Sequence, residues 1–253
     1  MDAVALIDDM ATRARLASRV LAAMPTTVKS AGLKAAAVQL RADSDAIMAA
    51  NAVDLIAAKA SGMSSAMIDR LTVDAARIEG IANAVETIAA LPDPVGAVIE
   101  QSERPNGLKL SRVRVPLGVI GIIYESRPNV TADAGMLCVM SGNAAILRGG
   151  SEAVNTNRAI HAALVAGLAA EGLPGDAIQL VPTTDRAAVG AMLAAHGKID
   201  VIIPRGGKTL VARVQADARV PVLAHLDGIN HTDRKSTRLN SSHSTLSRMP
   251  SSA

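Results

Sequence analysis

Apolar residues recur every three to four positions through Val4 to Met24, Ala35 to Ala58 and Val73 to Leu91, which predicts helices over most of the first ninety residues. Pro25-Thr26-Thr27 and Gly62-Met63-Ser64-Ser65 supply stop and capping residues between them, and Leu91-Pro92-Asp93-Pro94 closes the block. At Val95 the period changes. Val95 to Gln101 reads as a short strand, Arg104-Pro105-Asn106-Gly107 as a turn, and Leu108 to Val115 alternates apolar with polar, so a hairpin with one face in water or against a partner subunit is expected. After Pro116 come apolar runs at Val119 to Ile123, Ala144 to Leu147, Ala177 to Val181, Val201 to Ile203 and Val220 to Leu223. Helical stretches separate them, at Thr131 to Ser141, Glu152 to Ala170, Asp185 to Ala195 and Gly207 to Gln215. Alternating strands and helices predict an α/β fold with a doubly wound, mostly parallel sheet.

Composition narrows the packing. Tyr124 is the one aromatic residue, so the core must be built from Ala, Val, Leu, Ile and Met, and small side chains let helices approach the sheet closely. No apolar run nears the roughly 18 residues of a membrane span, and no leader pattern precedes the first helix, so a cytoplasmic protein without membrane contact is expected. The formal charge of +3 is confined to residues 233–253, where four cations meet one anion; the preceding residues balance. Without a basic stripe or aromatic platform, nucleic-acid binding has no support. From Thr232 the chain turns polar and Ser-rich, cannot bury enough surface to fold, and reads as a disordered foreign tail similar to translated sequencing-adaptor read-through.

The chemistry concentrates at two strand exits. Tyr124-Glu125-Ser126-Arg127-Pro128-Asn129 follows the first strand of the α/β part, and Arg148-Gly149-Gly150-Ser151-Glu152 follows the second. Ligands of open α/β sheets sit beyond the carboxyl ends of the strands, so both segments should face one crevice. Arg148 can pair with an anionic group, and Ser151 with the amides of Gly149 and Gly150 can donate to its oxygens ahead of a helix. Arg205-Gly206-Gly207 leaves a further strand, where a tight turn explains both glycines; the segment lacks P-loop spacing. The histidines are scattered and cysteine occurs once, so no metal site is expected. His161 and His196 read as surface or packing residues.

Tyr124 to Asn129, Leu147 to Ala153, Ile203-Pro204-Arg205-Gly206-Gly207-Lys208 and His225-Leu226-Asp227-Gly228 together resemble the gamma-glutamyl phosphate reductases, glutamate-5-semialdehyde dehydrogenases of the aldehyde dehydrogenase superfamily, over approximately Met1 to His231. The resemblance implies a Rossmann-like NADP-binding domain over residues 1–231, comprising a helical part (1–94), a protruding hairpin (about 95–115) and the α/β part (116–231). It implies NADPH-dependent reduction of gamma-glutamyl phosphate to glutamate 5-semialdehyde with phosphate release, in proline biosynthesis, by a homo-oligomer. Arg148, Gly149, Gly150 and Ser151 would hold the cofactor, Arg205, Gly206 and Gly207 would line its nicotinamide side, and Ser126, Arg127 and Asn129 would lie near the acyl phosphate. Without the resemblance, Arg127 pairing with Glu125 or capping a loop is the plainer reading. His225 falls near the family's general-base segment.

The implied reaction needs a thiolate that displaces phosphate. The family carries that cysteine downstream of His231, where this chain has none, so a C-terminally truncated, inactive member without its catalytic domain is expected. Its unpaired strand edges would favour aggregation. Cys138, in an apolar helix, reads as a packing residue. Another acyl-phosphate or aldehyde dehydrogenase, a non-catalytic NADP-binding module and a structural helical protein are the competing readings.

Overall fold

The computed structural model of the chain describes residues 2–224. Five helices lead: α1 (Ala3–Ala23), α2 (Thr26–Ala42), α3 (Ser44–Ala60), α4 (Ser65–Leu71) and α5 (Ala75–Ala89). Asp2 caps α1 by accepting from the Val4 amide, and Ile7, Met10, Ala14, Ala17 and Leu21 form its buried stripe at helical spacing. The stretch Ala35 to Ala58, read as one helix from its period, is two. Asp43 sits between them, its amide donating to the Gln39 carbonyl (2.9 Å) and its carbonyl accepting from Ile47 (2.9 Å), while its carboxylate takes the Gln39 amide group (2.9 Å). Neither Gly nor Pro marks this break, and the apolar period runs across it unchanged.

Small residues bring the helices together. A Cβ at Gly167 would lie 2.3 Å from Ala36 Cα, so α2 and the later helix carrying Gly167 meet almost backbone to backbone. One ion pair is deeply buried: Lys29 Nζ lies 2.5 Å from Asp93 Oδ2. Burial pushes the Asp93 carboxyl up, but Lys29 and the Val95 amide outweigh it and hold it below the usual range.

The hairpin comprises β1 (Val98–Glu103) and β2 (Lys109–Val113), antiparallel, with Gln101 opposite Ser111 and a register shift between Val98 and Glu100. Gly107 takes φ of 82° at the turn, a conformation that favours glycine. Every residue of both strands is exposed, so neither face is covered by the described residues.

The α/β part follows as β3 (Val119–Tyr124), α6 (Asn129–Met140), β4 (Ala144–Arg148), α7 (Val154–Ala170), β5 (Ile178–Leu180), α8 (Arg186–Ala194), β6 (Val201–Arg205) and α9 (Lys208–Asp217). The strands are parallel in the order β5-β4-β3-β6. The chain thus winds outward from β3 and then crosses to its other side, placing the switch point between β3 and β6. Val220 to Leu223, expected as a strand, makes a parallel bridge of Val222 to Ile202 beside β6. A single buried cluster runs from Ile7 through the sheet to Val220, so the leading helices and the α/β part share one core. Among the described residues no helix is long and apolar enough to cross a membrane.

Candidate functional site

The register sets the strand exits level: Ile123 stands beside Arg148 and Tyr124 beside Arg205. Two carboxylates then tie the exits together. Glu152, in the 3-10 turn Ser151–Ala153, accepts from the amide (2.6 Å) and hydroxyl (2.8 Å) of Ser126 through one oxygen, Oε1. Ser126 is the one non-glycine described residue with positive φ, 45°, and these two bonds hold it there. On the other side, Glu125 Oε2 accepts from the Gly207 amide (3.0 Å), while the Glu125 amide donates to the Arg205 carbonyl (3.2 Å). Glu125 is therefore engaged across the switch point, and no Glu125–Arg127 pair forms.

The glycines are explained by space. A Cβ would lie 2.2 Å from Asn157 Nδ2 and 3.0 Å from the Tyr124 hydroxyl at Gly149, 2.2 Å from Glu152 Oε1 at Gly150, and 2.6 Å from Glu125 Oε2 at Gly206. At Gly206 and Gly207 this corrects the turn-based expectation: neither has positive φ, and a Cβ at Gly206 would push aside the Glu125 carboxylate that accepts from the Gly207 amide. Tyr124 is buried, its hydroxyl 2.7 Å from that of Thr131, which donates to Asn157; burial pushes its phenol up to about 12.

Arg148 is half-buried and folded over its own loop, donating from Nη1 to the Gly149 carbonyl and from Nη2 to the Thr184 carbonyl (2.8 Å each). Its Nε is buried with no partner among the described residues. Burial lowers its pKa, Glu152 opposes that, and the neighbouring charge of Arg186 lowers it further. Arg186, at the start of α8, thus adds a second cation that sequence reading missed. Ser151 is exposed beside this loop.

A cavity of about 560 Å³ opens between the α4–α5 segment and the loop from β3 into α6; Arg127 and Asn129 line it, with Asp133 and, opposite, Arg70 and Arg77. Asn129 Nδ2 donates to Asp133 Oδ2 (2.8 Å). Burial raises the Asp133 carboxyl, an effect reduced by Asn129 and by the nearby positive charge of Arg205. Ser126 lies beside the cavity, turned to Glu152. The structure thus brings Arg127 and Asn129 to one wall, Ser126 to the seam with the Arg148 loop, and Arg205 within electrostatic reach of Asp133.

Cys138 is buried, and desolvation pushes its thiol up to about 12, as a packing residue would show. His161 is largely enclosed and bonds the Ile178 carbonyl (2.9 Å). No group of three His, Cys, Asp or Glu that could hold a metal occurs among the described residues. His225, His231 and the polar segment 232–253 lie outside the described residues.

The description "Aldehyde dehydrogenase family" belongs to the family model that matches residues 2–232. The chain belongs to that family. Within the aldehyde dehydrogenases it is 69% identical over 230 residues to gamma-glutamyl phosphate reductase of Rhizorhabdus wittichii, an alignment covering 91% of this chain and 54% of the relative. The crystal structure of gamma-glutamyl phosphate reductase from Thermotoga maritima superposes with a TM-score of 0.84 at 40% identity, over 86% of this chain and 52% of that one. A glyceraldehyde-3-phosphate dehydrogenase from Methanocaldococcus jannaschii, complexed with NADP, shares the fold at 15% identity and TM-score 0.68, over 91% and 47%. The chain spans about half the length of the relatives it matches.

Proposed function

We propose that this aldehyde dehydrogenase chain is the NADPH-holding part of a cytoplasmic gamma-glutamyl phosphate reductase, an enzyme of proline biosynthesis that gives glutamate 5-semialdehyde and free phosphate and works as a homo-oligomer. The observation that carries the reading is the Glu152–Ser126 junction, which joins the loop suited to a dinucleotide to the loop suited to an acyl phosphate. A nicotinamide cofactor fits this edge on physical grounds. The unpartnered Nε of Arg148 and the charge of Arg186 favour a phosphate.

In this reading Arg148, with Arg186 behind it, pairs with the 2′-phosphate of NADPH. Ser151 and the Gly149–Gly150 backbone hold ribose or phosphate oxygens, and Arg205-Gly206-Gly207, braced by Glu125, lines the nicotinamide side. The cofactor supplies hydride when bound. Arg127 and Asn129 present a guanidinium and an amide to the phosphate, and Ser126 orients the loop. Cys138 cannot act as nucleophile, because its thiol stays protonated in the core, and it is the chain's one cysteine. The chain therefore binds cofactor without turning over substrate.

Titration of the 253-residue chain with NADPH, followed by nicotinamide fluorescence, tests this. Saturable binding that weakens about tenfold in Arg148→Gln, with NADH binding little changed, is expected. Absence of NADPH binding by folded protein refutes the cofactor role, and NADPH oxidation driven by gamma-glutamyl phosphate and lost in Cys138→Ser refutes the inactivity.

A further inference from the structure

The cavity beside Ser126 carries more charge than an acyl phosphate needs. Three guanidinium groups line it, and they are not equivalent. Arg77 is spent on its own segment, bonding the Thr72 carbonyl (2.7 Å) and the Asp69 carboxylate (2.8 Å). The side chains of Arg70, in α4, and Arg127, after β3, make no hydrogen bond or ion pair among the described residues. Asp133 lines the same cavity, half-buried, and its carboxylate takes one hydrogen bond among the described residues, from Asn129 to Oδ2, leaving Oδ1 free. Arg205 and Asn129 offset only part of the cost of burying the Asp133 carboxyl, so a cation brought against Oδ1 would gain a partner there.

Two unpaired guanidinium groups and one incompletely satisfied carboxylate share this cavity. It complements a molecule with two anionic ends and an ammonium group near one of them. If Arg127 takes the phosphate, as proposed above, Arg70 and Asp133 remain for a carboxylate and an ammonium. A volume of about 560 Å³ is ample for a small amino-acid derivative.

We infer that this cavity receives the α-amino-acid end of the acyl phosphate, its ammonium against Asp133 and its α-carboxylate against Arg70. The inference rests on the reductase reading and extends it: the helical α4–α5 segment, otherwise scaffold, becomes the wall that reads substrate. Acyl phosphates or aldehydes without the α-amino and α-carboxyl groups leave both charges unmatched, which is how such a site excludes them.

Isothermal titration of the 253-residue chain with three stable probes tests this. L-Glutamate carries both groups, glutarate lacks the ammonium, and 4-aminobutanoate lacks the α-carboxylate. L-Glutamate is expected to bind about tenfold more tightly than either. Asp133→Asn removes the preference over glutarate and keeps that over 4-aminobutanoate; Arg70→Gln does the reverse. No binding of L-glutamate, equal binding of the three probes, or preferences that survive both substitutions overturns the inference. The wild-type comparison stands even where a variant fails to fold. A parallel titration with NADP+ separates the two readings: if it binds and the amino-acid probes show no preference, the cavity assignment alone is wrong, whereas failure of NADP+ to bind sinks the reductase reading itself.

Discussion

Replacing Glu152 with Ala cuts a side chain that joins the two central loops, and its cost can be worked from the geometry. Glu152 Oε1 accepts two charge-assisted bonds from Ser126, at 2.6 and 2.8 Å. Each such bond contributes about 1.5 to 3 kcal/mol when enclosed. Glu152 is half-exposed, so the lower end applies and the pair contributes about 3 kcal/mol. Against this, releasing Ser126 from φ of 45° recovers about 1 kcal/mol. The net loss is about 2 kcal/mol, or about 4 to 8 °C in melting temperature for a chain of this size. Ser126→Ala removes one of the two bonds and costs about 1.5 kcal/mol. Because the residues act on each other, the double variant should fall short of the sum by about 1.5 kcal/mol. Urea unfolding followed by circular dichroism measures all four corners of this cycle. Strict additivity, or a Glu152→Ala variant as stable as the parent within about 0.5 kcal/mol, would refute the reasoning.

Two further outcomes follow from packing and burial. Gly167→Ala drives a Cβ to 2.3 Å from Ala36 Cα, where backbone cannot give way as a side chain could, and should cost about 2 to 3 kcal/mol; an unchanged urea midpoint would show that α2 and α7 do not meet so closely. Cys138 rises from 9.0 to about 12 on folding, so its stabilising effect is complete below pH 9 and disappears as pH climbs toward 12. Between about pH 9 and 11 the urea midpoint should fall, Cys138→Ala should show a shallower fall, and the thiol should resist a thiol-directed reagent at about pH 8 until the protein unfolds; prompt labelling of native protein would contradict this.

The strand and helix alternation after Pro116 was readable because each element carries its own period, and β3, β4 and β6 lie within a residue or two of the apolar runs that predict them. The break at Asp43 was not, since a single capping residue inside an unbroken apolar period leaves no local sign. Half-burial of the hairpin, expected from alternation at Leu108 to Val115, is absent among the described residues; alternation reports that one face suits an apolar partner, not which residues supply it. Among site residues, the motifs around Ser126 and Arg148 were visible as polar strand ends. Glu125, Glu152, Asp133 and Arg70 were not singled out, although Glu125 and Glu152 stand inside the same motifs, because a carboxylate beside a glycine gives no hint of which distant amide it will meet.

Sequence alone determined that polar loops with a free guanidinium and small residues would follow apolar strands, for the identity of a residue and its place in a local period are properties of the chain. Folding decided which loops became neighbours. The parallel order β5-β4-β3-β6 sets Tyr124 and Arg148 on one edge and brings Arg205 beside them from far along the chain. The same collapse lays α4 and α5 over the start of α6, so that Arg70 and Asp133 face one hollow. Electrostatic and steric terms act over a few ångströms of space, and separation along a chain does not fix separation in a fold.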